Sequence, residues 1–117
     1  MTKKNKVIIA LDTNNLDKAI AVASVMDKDI VFKVGMEFFY SFGYSGVEKL
    51  KKIRENVKIF LDLKLHDIPN TVCKAIVPLI ENIKPYMLTL HATGGEKMLK
   101  EVVKVVSKRP KKTRPIL

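Results

Sequence analysis

The chain has 117 residues, 22 Lys+Arg against 12 Asp+Glu for a formal charge of +10, and 47% hydrophobic against 29% charged residues. That length suits one ordinary domain, and that balance belongs to a globular chain rather than a disordered one. No apolar run approaches the roughly 20 residues that cross a bilayer, the stretch behind Met1–Lys6 stops at Asp12, too soon for a secretory signal, and the single cysteine, Cys73, forbids an intrachain disulfide or a cysteine-built metal cluster.

A cytoplasmic protein is therefore expected. The positive charge fits a solvated lysine-rich surface or a small anionic substrate. Its densest run, Lys108 to Arg114, contains Pro110 and precedes Pro115. It reads as a loop and lacks the interleaved aromatics that stack bases. Neither a nucleic-acid partner nor a membrane partner is expected.

Five short β-branched runs punctuate the chain: residues 7–11, 30–34, 58–63, 87–91 and 114–117. Their starts lie 23, 28, 29 and 27 residues apart. Between them run helical patterns. Leu16, Ala19, Ile20, Ala23 and Met26 recur at three- and four-residue steps. Val47, Leu50, Ile53 and Arg54 predict a second helix opened by Ser45 as N-cap. Val72, Ile76, Leu79, Ile80 and Ile83 make a third, with Pro69 suited to its first turn and Pro78 expected to kink or end it. Met98, Leu99, Val102, Val103 and Val106 make a fourth, beginning near Gly94-Gly95. Strand and helix alternating at this spacing mean βαβ units and a parallel sheet, with the strands in sequential order.

Side chains alternate faces along a strand. In the third run Phe60, Asp62, Lys64 and His66 share one face, and Leu61, Leu63 and Leu65 the other, which is expected to pack under helices. The same parity brings Asp12 to the end of the first strand, Lys33 onto the second, and Thr89 and His91 to the end of the fourth. Active sites of parallel α/β architectures form at that carboxyl end. Burying each ion costs several kcal/mol unless it is paired, so Lys33, Asp62, Lys64 and nearby Asp67 read as a functional cluster.

Other chemistries fit less well. There is no Gly-x-Gly-x-x-Gly, no Walker-type loop and no Gly-x-Ser-x-Gly. His66 and His91, the two histidines, lack a zinc-like spacing. Asp62 and Asp67 could hold Mg²⁺, with Lys33 and Lys64 competing for the same carboxylates. His91 reads as a hydrogen-bonded structural histidine and Cys73 as a small buried side chain.

Asp62-Leu63-Lys64-Leu65-His66-Asp67-Ile68-Pro69-Asn70-Thr71-Val72 resembles the signature of the orotidine 5′-phosphate decarboxylase family. The likeness extends in order to Ala10-Leu11-Asp12, Phe32-Lys33-Val34-Gly35, Leu90-His91-Ala92-Thr93-Gly94-Gly95 and Thr113-Arg114-Pro115-Ile116-Leu117. The Asp-x-Lys-x-x-Asp core is shared with related sugar-phosphate decarboxylases; the His-Asp-Ile-Pro-Asn-Thr run is more specific.

The resemblance implies a TIM (β/α)8 barrel, of which residues 1–117 would supply the first four βα units and the start of strand five. It implies loss of CO₂ from orotidine 5′-phosphate to give UMP, without metal or cofactor. Lys33, Asp62, Lys64 and Asp67 match the family's charged catalytic array. In that array Lys64 is the proton donor to C6, and Asp67 is the acid lent by the other subunit of a dimer. Asp12 matches a ribose-hydroxyl contact, and Ile68 and Thr71 match residues that reach substrate across the dimer interface.

The family's later phosphate-binding elements have no counterpart in this sequence. The expectation is thus an N-terminal half, working as a homodimer or with a complementing C-terminal half. Two alternatives are a non-catalytic half-barrel or remnant, and a relative of the Mg²⁺-dependent 3-keto-L-gulonate-6-phosphate decarboxylases. The latter carry an acid on the second strand where this sequence has Lys33.

Overall fold

The computed structural model describes residues 6–117; residues 1–5, on which part of the secretory-signal argument rests, lie outside them. Four strands alternate with four helices in a parallel sheet of order β1-β2-β3-β4, as the spacing predicts. The chain divides into two compact units, one ending at Phe60 and the other spanning Leu61–Leu117.

The first unit holds β1 (Ile8–Ala10), α1 (Leu16–Ser24), β2 (Val31–Gly35), α2 (Met36–Lys51) and the start of β3 (Lys58–Leu65). β1 and β2 pair in parallel, with Ile8 opposite Val31, Ile9 opposite Phe32 and Ala10 opposite Lys33. Asn15 caps α1, its Oδ1 accepting the Lys18 N–H at 3.0 Å, which satisfies one of the orphan donors of the first turn. Ala19, Ala23, Phe32, Val34, Phe38, Val47 and Leu50 are buried. Removing each large side chain among them from water is worth about 2–3 kcal/mol.

The far end of α1 is closed by Arg54. Its Nη1 donates to the Met26 carbonyl at 3.0 Å and more weakly to that of Ala23 at 3.4 Å, and its Nη2 donates to Asp27 at 3.2 Å. The same guanidinium lies 5.7 Å from the centroid of the Phe32 ring.

The second helix departs from the sequence reading. It starts at Met36, directly after β2, and consists of two helical segments that meet at a break at Gly43; the predicted start at Ser45 falls just after that break. Phe38 and Phe42, one turn apart, meet edge to face at 5.0 Å and carry the early turns. The break falls at a glycine: Gly43 takes φ 61°, ψ −151°, non-helical angles that the missing Cβ permits.

The second unit holds the end of β3, α3 (Pro69–Asn82), β4 (Met87–Leu90), a 3₁₀ turn at Ala92–Gly94, α4 (Glu96–Ser107) and a 3₁₀ turn at Lys111–Thr113. Pro69 occupies the first turn of α3 as expected, but Pro78 does not end the helix, which runs on to Asn82. Burial of Leu79, Ile80 and Ile83 beyond it offsets the one backbone hydrogen bond that proline removes. Val72 and Ile76 on α3 and Met98, Val102 and Val106 on α4 are buried, and the two helices pack together.

The predicted fifth strand is present as one parallel bridge, Ile116 opposite Met87. Ile116 donates to the Tyr86 carbonyl and accepts from the Leu88 N–H, both at 2.9 Å. The basic run before it does structural duty. Arg109 pairs with Glu81 at 2.8 Å, and Arg114 donates to the Arg109 and Ser107 carbonyls at 2.7 and 2.6 Å. These contacts tie the end of α4 to the chain that follows it. Among the described residues no helix is long and apolar enough to cross a membrane.

Candidate active site

In the first unit, Leu11 ends β1 by donating its N–H to the Lys33 carbonyl at 2.9 Å. This register sets Asp12 beside Lys33, and Lys33 Nζ lies 3.8 Å from Asp12 Oδ1. Lys33 is half-buried and Asp12 exposed. The parity argument placed both residues on their strands without pairing them.

In the second unit the central feature is Asp62, the one buried charged residue among those described, at 8% exposure. Lys64 Nζ donates to Asp62 Oδ2 at 2.8 Å, and the Thr89 hydroxyl donates to Asp62 Oδ1 at 2.8 Å. Both carboxylate oxygens are thus engaged, which is what a buried carboxylate requires. The Lys64 side chain is about half exposed, at 52%, so the ammonium is anchored on one side and open on the other.

The strand geometry behind this is not regular. Lys64 takes φ 49°, a left-handed conformation that non-glycine residues seldom hold. Its N–H is taken by Thr89 Oγ1 at 3.0 Å. The expected leucine face is only partly realised: Leu61 is fully buried, whereas Leu63 and Leu65, toward the strand end, are half-buried.

Asp67, Ile68 and Thr71 follow on the β3–α3 connection and the first turn of α3. Asp67 Oδ1 accepts the Ile68 N–H at 2.7 Å, Ile68 is the N-cap residue of α3 and 65% exposed, and Thr71 is exposed. His66, Asp67, Ile68, Pro69 and Gly94 line an open cleft of about 560 Å³. The His66 and His91 rings stack at 4.8 Å between centroids. His91 Nδ1 accepts the Thr93 N–H at 3.3 Å and lies 2.6 Å from the Thr93 hydroxyl, so it is hydrogen-bonded, as the sequence reading expected.

Cys73 is half-buried rather than buried. It borders a second cleft of about 490 Å³ between α3 and α4. Burial, and then the charge of Glu101, push its thiol pKa upward.

Sequence reasoning brought Thr89 to the end of β4 without giving it a role. The signal was there: a hydroxyl on the same inward parity as Asp62, one strand over. Among the described residues no group of three or more His, Cys, Asp or Glu side chains is placed to hold a metal ion.

A parallel βα sheet with an Asp-x-Lys pair at the carboxyl end of its third strand is the framework of a (β/α) barrel, with its polar groups at the end where active sites of that fold form. Comparison with known proteins makes this specific. The family model described as orotidine 5′-phosphate decarboxylase / HUMPS family matches residues 5–113, and the chain belongs to that family.

The orotidine 5′-phosphate decarboxylase of the Wolbachia of Brugia malayi is 50% identical over 103 residues, which are 87% of this chain and 44% of that protein. The crystal structure of the Lactobacillus acidophilus enzyme superposes with a TM-score of 0.75 at 39% identity, covering 86% of this chain and 45% of that one. The Methanocaldococcus jannaschii enzyme, complexed with the inhibitor BMP, gives a TM-score of 0.77 at 29% identity, covering 91% and 49%. The chain thus spans about half the length of the relatives it matches.

Proposed function

We propose that this chain carries the charged half of an orotidine 5′-phosphate decarboxylase, converting orotidine 5′-phosphate to UMP and CO₂ in the cytoplasm, with Lys33, Asp62, Lys64 and Asp67 as its catalytic groups. The observation that carries the reading is the Lys64 ammonium held on the buried Asp62 carboxylate at 2.8 Å while its other side stays open. In the reaction the bond from C6 to the carboxylate breaks, CO₂ leaves, and the electron pair stays on C6. Lys64 Nζ then delivers a proton to C6, forming the C–H bond of UMP. Its positive charge stabilises the carbanion as it develops, and Asp62, 2.8 Å from Nζ, holds the ammonium in place.

Lys33, with its neighbour Asp12, supplies a further cation and a carboxylate for the ribose hydroxyls. Asp67, Ile68 and Thr71 lie on an exposed segment. They suit contact with substrate in a homodimer, where each subunit lends them to the other.

A second reading is a half-barrel completed by another polypeptide. Val7 and Ile8 on and beside β1 are 47% and 45% exposed, and Ile116 and Leu117 are 52% and 45% exposed. Such apolar strand residues suit pairing with further strands.

The test is to purify residues 1–117, follow orotidine 5′-phosphate by absorbance, and repeat with a polypeptide supplying strands five to eight. Little turnover is expected from the chain alone, because binding energy from the remote phosphate helps to orient the base. Activity that appears on mixing supports the split barrel. Absence of turnover in both preparations overturns the functional reading.

A further inference from the structure

We propose that Thr89 is a positioning residue for the decarboxylation assigned above: its single hydroxyl fixes the Asp62 carboxylate and the Lys64 backbone in one geometry. The inference rests on that functional reading and extends it to a residue outside the charged array.

A hydroxyl has one proton to give and two lone pairs to receive with. At Thr89 both capacities are committed. Oγ1 accepts the Lys64 N–H at 3.0 Å. Its own proton goes to Asp62 Oδ1 at 2.8 Å. The second carboxylate oxygen, Oδ2, receives Lys64 Nζ at 2.8 Å. Backbone and side chain of Lys64 are therefore both tied to the same carboxylate, one through Thr89 and one directly.

The tie matters because of where Lys64 sits. Its φ of 49° is a conformation that a lysine holds only when its surroundings over-determine it. The N–H bond to Thr89 is such a determinant. Were it lost, the backbone at Lys64 could relax toward ordinary strand geometry, and the base of the side chain would swing with it. Proton delivery is sensitive to displacements of this kind. Thr89 itself reaches no reacting atom in this scheme; it acts through Asp62 and Lys64. Valine has the same shape without the hydroxyl, so it leaves a buried carboxylate oxygen and the Lys64 N–H each without this partner. Serine keeps the hydroxyl and loses only a methyl group.

The experiment compares wild type, Thr89→Val and Thr89→Ser in the full chain, with folding checked by circular dichroism. Should Thr89→Val fail to fold, Thr89→Ala takes its place. Amide hydrogen exchange at Lys64 is read by NMR. Exchange is expected to be at least tenfold faster without the hydroxyl and within twofold of wild type in Thr89→Ser. In whichever preparation turns over orotidine 5′-phosphate, the chain alone or the chain with strands five to eight supplied, kcat is expected to fall tenfold or more in Thr89→Val. KM is expected to stay within threefold, and Thr89→Ser to restore kcat.

A Lys64 amide indifferent to loss of the hydroxyl overturns the proposal whatever the kinetics. Faster exchange with unchanged kcat also overturns it, leaving Thr89 a purely structural contact. Absence of turnover in wild type under both conditions overturns the functional reading, and the catalytic part of this proposal with it. Active wild type with an indifferent Thr89→Val overturns this proposal alone.

Discussion

Replacing Arg54 with methionine removes a charged cap while keeping most of the volume and the apolar stem. The cap has two good hydrogen bonds, to Met26 O at 3.0 Å and Asp27 O at 3.2 Å, and a marginal one to Ala23 O at 3.4 Å. Bonds from a charged donor are worth about 1.5 kcal/mol or more each, so the two good ones total about 3 kcal/mol. Two features reduce that loss. Arg54 Nε is buried without a hydrogen-bond partner among the described residues, and removing it returns about 1 kcal/mol. The Ala23 and Asp27 carbonyls also accept the Met26 and Ile30 N–H groups, so neither is orphaned. The net expectation is a destabilisation of about 2 kcal/mol, equivalent to a fall in Tm of roughly 8 °C for a chain of this size. Arg54→Lys is expected to recover less than half, because a point ammonium lacks the planar fork that reaches three carbonyls. Urea unfolding of the three proteins measures it. If Arg54→Met matched wild type within about 0.5 kcal/mol, the idea that the guanidinium closes α1 would be wrong.

Gly46→Ala is expected to destabilise by about 1–3 kcal/mol, the reverse of the usual gain from alanine in a helix, because its Cβ would meet the Phe42 Cβ and, at 3.3 Å, the Phe38 ring; thermal unfolding checks the sign. Since its thiol pKa is raised from 9.0, Cys73 is expected to react with iodoacetamide more slowly than a free cysteine at pH 8. Its rate should still be climbing as the pH passes 9.0, the ordinary value above which that of a free cysteine levels off, because the thiolate is the nucleophile; a rate equal to that of unfolded chain at pH 8 would contradict it. In an active preparation, Lys64→Ala is expected to abolish turnover far more than it weakens ligand binding, since its main partner is charge that develops during reaction. Asp12→Ala is expected mostly to raise KM, and comparing kcat with KM separates the two.

Much of this protein was legible in the sequence. Strand after helix at a steady interval dictates a parallel sheet, because neighbouring parallel strands need a crossover between them. The period of two placed Asp12, Lys33, Asp62, Lys64 and Thr89 at strand ends, and the run from Asp62 to Val72 pointed to the family. Local pattern succeeds there because alternation is a property of the extended backbone itself. It failed where packing overrides local preference. The sequence reading opened a helix at Ser45, close to the segment that follows the break at Gly43, but missed the earlier turns from Met36 that carry Phe38 and Phe42. Pro78 was read as a kink or a stop; it is not a stop, because the buried apolar residues beyond it hold α3 together to Asn82.

The basic run from Lys108 to Arg114 showed its charge but not its targets, because Arg114 binds backbone carbonyls, which no side-chain motif reveals. The site divides in the same way. Residue types and spacing determined that an acid and a lysine lie together on β3. Only the tertiary structure decided that Lys64 turns left-handed and that a hydroxyl from β4 joins its N–H to the Asp62 carboxylate. A hydrogen bond between residues 25 positions apart depends on the register of two strands. That register is set by the packing of the whole unit, not by either segment alone.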